Sequence, residues 1–204
     1  MQWIVAAVFL FSIQSCAVSN NSPAPEVAIN SSRNQPVIWN VPETRKAAEQ
    51  GNVKAQFDLG QIYFYGRNVE QNDKLAFEWF RKSAIQGHAA AQNQLGWLYL
   101  NGRGVDKDET IAFEWHRKAA LLGHGYGQFR VAQLYENGAG VPKNLPLAYF
   151  WYSICAKNEC ESSSTIKTIL QYAQHAGWLS HELMQKVLAA VADWNTGMPG
   201  PVFQ

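Results

Sequence analysis

Five histidines, three cysteines and one Ser-x-x-Lys arrangement are the residues of this 204-residue chain whose types could do chemistry. Histidines would hold a metal if they shared ligand spacing with cysteines or carboxylates, and no His, Cys or carboxylate pair shows zinc-ligand spacing. His88 and His124 instead follow a glycine at corresponding places 36 residues apart, where Asn52 stands one interval earlier. Exchange with Asn points to a turn. His116 stands where the same shift brings Phe80 and Tyr152, so it reads as a packed ring beside Trp115. Ser164-Thr165-Ile166-Lys167 matches the S-x-x-K nucleophile pattern of penicillin-recognising enzymes. Neither S-D-N nor K-T-G accompanies it, and a Ser at a helix start is ordinarily a cap. Asp106 and Asp108 precede a predicted helix that Asp can cap, and Glu78/Lys82 and Glu114/Lys118 read as solvated i, i+4 pairs worth about 0.2–0.5 kcal/mol each. Gly102-x-Gly104 and Gly138-x-Gly140 recur at the same interval, which makes them turns rather than a phosphate loop. No catalytic residue, metal site or small-molecule cofactor is expected.

The elements that carry these residues are repeats. Shifting the stretch 91–126 by 36 residues in either direction superimposes Tyr63, Tyr99 and Tyr135, then Gly66, Gly102 and Gly138, then Ala76, Ala112 and Ala148, then Trp79, Trp115 and Trp151. A fixed period of this size marks a solenoid. Each unit reads as two helices. Ala91, Leu95, Leu98 and Tyr99 form one 3.6-residue stripe, and Ala112, Trp115, His116, Ala119 and Ala120 form the second, closed by Gly123. The tryptophans and tyrosines are expected to fill the space between helices. The units run 55–90, 91–126 and 127–162, preceded by a capping half-repeat at 37–54 and followed by capping helices at 163–195 and a tail at 196–204.

The pattern Leu-Gly-x-x-Tyr-x-x-Gly-x-Gly-Val, Ala-x-x-Trp, Ala-Ala-x-x-Gly-His resembles the Sel-one-like repeat (SLR) family, a relative of the tetratricopeptide repeats. Arg67-Asn68 departs from it in the first copy and Glu159-Cys160 in the last. The resemblance implies an all-α solenoid of helix pairs that binds other proteins, with no single activity attached. Some cysteine-rich members bind or hydrolyse β-lactams, so a cell-wall or β-lactam-directed hydrolase is the alternative to a non-enzymatic scaffold. This chain lacks their repeated cysteine pairs.

If Leu59, Ile62 and Tyr63 face the second helix, then Phe57, Gln61, Phe64 and Tyr65 face away from it, followed by Asn93 and Trp97 and then Phe129 and Gln133. Rings that packing does not demand, interleaved with Asn and Gln, suit a surface that grips a protein or peptide on the concave side. The alternative is that the chain's own tether or tail covers them. A formal net charge of +1 argues against binding nucleic acid by phosphate neutralisation.

Trp3 to Ile13 form an apolar run too short to span a bilayer but suited to a signal peptide. Ile13-Gln14-Ser15-Cys16 resembles a lipobox, which makes 1–16 a lipoprotein-type signal with a lipid anchor at Cys16. Cleavage after Ala17 and an uncleaved anchor are the other outcomes. Residues 17–36, rich in Ser, Asn and Pro, read as a disordered tether. The expectation is an exported protein, periplasmic and held at the outer membrane. Export leaves Cys155 and Cys160 as an even pair of thiols, so a disulfide is expected, provided that the helix ends near Ala156 or Lys157. Two free cysteines are the alternative, with Cys155 filling a small core position like Ala119.

Overall fold

The computed structural model describes residues 40–158, 160, 163–195 and 201. The signal, the tether and Cys16 lie outside them, as do most of 196–204. Within the described residues the chain is all helix: α1 (Val41–Glu49), α2 (Val53–Tyr65), α3 (Asp73–Ile85), α4 (Ala89–Asn101), α5 (Glu109–Leu121), α6 (Gly125–Asn137), α7 (Leu145–Lys157), α8 (Ser163–His175) and α9 (His181–Asp193). From α1 to α7 each helix packs on the next in chain order, while α8 and α9 both pack on α7. The helix pairs begin at Val53, Ala89 and Gly125, two residues before the units read from the sequence.

Every helix start in the array is built the same way. The side chains of Asn52, His88 and His124 accept the third backbone N–H of α2, α4 and α6, and those of Asn72, Asp108 and Asn144 do so for α3, α5 and α7. Each cap satisfies an otherwise orphaned donor, typically worth about 1 kcal/mol. His88 and His124 can do this only through an unprotonated Nδ1, which lies 3.2 Å from the nitrogens of Ala91 and Gly127. The turn role read from the sequence is thus an N-cap.

First helices end in the left-handed conformation at Gly66, Gly102 and Gly138. The loops that follow abut the preceding repeat so closely that a Cβ on Gly140 would overlap the backbone carbonyl of Glu109, and one on Gly104 that of Asp73. The first copy carries Asn68 at this place, at φ 57°, a region asparagine tolerates.

A second repeated device went unread in the sequence. Gln56, Gln92 and Gln128 are buried, and each donates its amide to the carbonyl of Ala48, Ala84 or Ala120 at the end of the previous helix. The amide oxygen of Gln56 then accepts from Gln86, and that of Gln128 from Asn158. Leu122 occupies the matching place in the middle repeat, 52% exposed, and the Gln92 oxygen has no partner. Leu122→Gln should therefore stabilise the protein by about 1 kcal/mol, the cost of a buried unsatisfied acceptor. Chemical denaturation checks this; a lower midpoint would show that Leu122 is needed where it is.

Trp79 and Trp115, on the second helices, are half-buried and pack at the edge of the core. Of these three aligned tryptophans Trp151 alone is fully buried, because Trp194 and Phe150 cover it at ring distances of 5.7 and 5.4 Å. Lys82 and Lys118 do not pair with Glu78 and Glu114 as read. Their ammonium groups sit over the Trp79 and Trp115 rings at 3.9 and 4.1 Å, and Glu114 reaches Arg117 at 3.5 Å. A lysine stem laid along an indole keeps its head wet and gains a cation–π contact, which competes well with a solvated ion pair.

Two helices close the C-terminal end of the array on α7. Ile166 and Ala173 of α8 and Val187 of α9 are buried against α7, Ser180 caps α9, and Trp194 completes the cluster. Cys155 and Cys160 form a disulfide with Cα atoms 5.5 Å apart. α7 ends at Lys157, inside the condition that geometry sets.

Candidate functional site

The expected partner surface lies on α2, α4 and α6, and the structure divides its residues into two kinds. Phe57 and Phe64 belong to packing. Phe64 is only 3% exposed and lies within ring contact of Phe80 and Trp97, at 6.3 and 5.5 Å. Phe57 lies 5.6 Å from Phe80 and 4.6 Å from His88. The reading that these two rings are left over by packing within the repeat is therefore corrected. The cause is Gly60: an added Cβ there would come within 2.6 Å of the Phe80 ring, so the ring enters a gap that only glycine leaves and gathers positions 57 and 64 around it.

The same arrangement recurs with different chemistry. Phe57 meets Phe80, Asn93 meets His116 and Phe129 meets Tyr152, each pair 23 residues apart. In the middle repeat Gly96 makes room for the imidazole. His116 Nδ1 donates to Asn93 Oδ1 at 3.0 Å, while the buried Nε2 has no hydrogen-bond partner. Burial first, then the nearby Arg130 and His124, push its pKa down to about 3. His116 is a neutral ring in the core, as its alignment with Phe80 and Tyr152 suggests. Burial also lowers the pKa of His88, with Asp58 opposing and Lys54 assisting.

Trp97 is half-buried and serves a junction. Arg103, from the loop after α4, holds Asp73 at the start of α3 through two hydrogen bonds of 2.8 and 2.6 Å. Its guanidinium lies 4.4 Å above Phe64 and 5.5 Å from Trp97. A bidentate ion pair stacked on rings is the strong form of this contact. It ties the first repeat to the second. Tyr65 meets Phe64 edge-on at 4.9 Å and carries Arg67 at 4.7 Å.

What remains accessible is the half-buried polar part: Gln61, Asn93, Gln133 and the rims of Tyr65, Trp97 and Phe129. Gln133 accepts from Arg130 Nη1 at 2.9 Å. Arg130 was missed in the sequence, although it replaces the Asp58 and Gln94 of the earlier copies. Burial lowers its pKa from the ordinary value, and the Tyr126 and Tyr152 phenols oppose that. Among the described residues no group of three His, Cys, Asp or Glu side chains could hold a metal. Lys167, of the Ser-x-x-Lys sequence, is exposed on α8. Cys16 lies outside the described residues.

The Sel1 repeat profile matches residues 53–88, 89–124 and 125–158, just over half of the chain and helix pair by helix pair. The chain belongs to the Sel1 repeat family. A Sel1 repeat protein from Oxalobacter formigenes, of known crystal structure, is similar at 41% identity and a TM-score of 0.58, over 64% of this chain and 96% of that one. The protective antigen c5321 of uropathogenic Escherichia coli, described as displaying an SLR fold, is similar at 27% identity and a TM-score of 0.53. That match covers 77% of this chain and 40% of the antigen. No curated protein matches. Sel1 repeat proteins are typically protein-interaction scaffolds.

Proposed function

We propose that this Sel1 repeat protein is a non-enzymatic scaffold of the bacterial cell envelope, lipid-anchored at Cys16, which holds a segment of a partner protein on the face formed by α2, α4 and α6. The observation that carries the reading is the composition of the accessible part of that face. Gln61, Asn93 and Gln133 are amides able to pair with an extended backbone, and the edges of Tyr65, Trp97 and Phe129 between them can receive side chains. Helix packing accounts for the buried sides of these rings and leaves the amides of Gln61 and Gln133 outside the core.

A photo-crosslinking amino acid at Gln61 or Gln133 tests this directly in the native envelope. The same group at Glu78, on a second helix, is the control. The expected result is one partner crosslinked from both first-helix positions and not from Glu78; a partner captured only from Glu78 would place the docking face on the other side. For the anchor, Cys16→Ser is expected to move the protein from the membrane to the soluble fraction. Unchanged fractionation would remove the lipid from the reading.

A further inference from the structure

Charge is scarce on the face shared by α4 and α6. α4 has no charged side chain along its length, and α6 has only Arg130 and Glu136. Glu136 is engaged by the Tyr152 hydroxyl, which donates to its Oε2 at 2.7 Å. Arg130 differs from Arg103, which is likewise partly buried. Arg103 has Asp73, whereas among the described residues Arg130 makes no ion pair. Its hydrogen-bond acceptor there is the neutral amide of Gln133. A guanidinium carries five N–H donors in a planar fork, so among the described residues most of this one's donors have no acceptor. Among the described residues its electrostatic neighbours are Tyr126, Tyr152 and a neutral His116, and the carboxylate of Glu136 is turned to the Tyr152 hydroxyl. Setting a cation partly out of water without a counter-charge costs stability. The fork also suits a carboxylate, which it can bind through two parallel hydrogen bonds.

We infer that Arg130 and Gln133 recognise a carboxylate side chain of the docked segment, so that the partner is an acidic peptide with Asp or Glu set against Arg130 and an apolar neighbour resting on Phe129. The inference rests on the first-helix face being the docking surface. It adds the chemistry of what docks. Asp58 and Gln94 hold the matching positions of α2 and α4, so acid recognition is confined to the third repeat and sets the register of the peptide along the face.

The test is selection of short random peptides, displayed on phage through their C-terminal ends, against the full chain. Selected peptides are expected to be enriched in Asp or Glu beside an apolar residue. Changing that acid to its amide, or Arg130→Gln in the protein, should each weaken binding about tenfold or more, and the two losses should not add. Raised salt should weaken binding of the acidic peptides and spare the amide forms. Arg130→Gln should leave the melting temperature unchanged or higher, since it removes an uncompensated cation. If that variant fails to fold, the acid-to-amide change in the peptide still decides. Peptides that need Phe129 and Gln61 but ignore both charge changes would overturn acid recognition and leave the docking face standing. Selected peptides indifferent to Phe129→Ala, Gln61→Ala and Arg130→Gln alike would overturn both.

Discussion

Phe64→Ala is expected to cost about 3–5 kcal/mol of folding stability, the range for deleting a fully buried ring. The expectation comes from where the ring sits. It lies between Phe80 of its own repeat, Trp97 of the next and the Arg103 guanidinium, and its removal leaves a cavity that rigid helices close only in part. The loss should exceed that of Gln61→Ala, one turn earlier on α2 and outside the core, by several-fold. Equilibrium denaturation of the two variants decides the matter. Equal, small losses would return Phe64 to the accessible face and undo the assignment of rings made above. Asp73→Asn should reproduce part of the effect. It removes the charge that holds Arg103 over the ring while keeping the first turn of α3 intact.

The contrast between these positions shows what a stripe argument can and cannot see. The period, the helix pairs, the turn glycines and the turn role of His88 and His124 were legible because each depends on local chemistry repeated at a fixed interval. The error at Phe57 and Phe64 has a different source. A first helix in this array touches two second helices, its own and the preceding one, as α4 touches α3 and α5. Its buried arc is therefore wider than the single stripe of a helix with one partner. Reading Leu59, Ile62 and Tyr63 as the whole of that stripe left Phe57 and Phe64 apparently free. The corrective signal was present in Gly60 and Gly96, each opposite a ring 20 residues on. Arg130 was invisible for the opposite reason, since its interest lies in a missing counter-charge, and spacing cannot report an absence. The pairing of Cys155 with Cys160 hung on where α7 stops, and the reach of a disulfide placed that end near Ala156 or Lys157.

Acid should destabilise this protein through one residue above all, His116. Its folded pKa of about 3 lies well below the 6.5 of an unfolded chain, so the native state holds it neutral while the unfolded state takes up a proton as pH falls. The contribution to stability is therefore complete above pH 6.5 and is lost as pH drops toward 3. The slope is about 1.4 kcal/mol per pH unit, or about 2 kcal/mol by pH 5. His88 acts in the same direction, more weakly because water screens a half-exposed ring. His88 and His124 also lose their caps when Nδ1 is protonated. The discriminating variant copies the first repeat into the second. Asn93→Phe with His116→Phe reproduces the pair formed by Phe57 and Phe80, and Gly96 already supplies the gap that Gly60 supplies there. Removing the buried unpaired Nε2 should leave the double variant at least as stable as the wild type at pH 7.5. Between pH 6.5 and 5 its stability should fall by only the smaller amount due to the two caps. His116→Phe alone should show the same flat response from a lower starting point, because the Asn93 amide oxygen is left facing a ring. If the wild type and the double variant lose stability in parallel over that range, the acid response belongs to the caps and the exposed carboxylates, and His116 has no part in it.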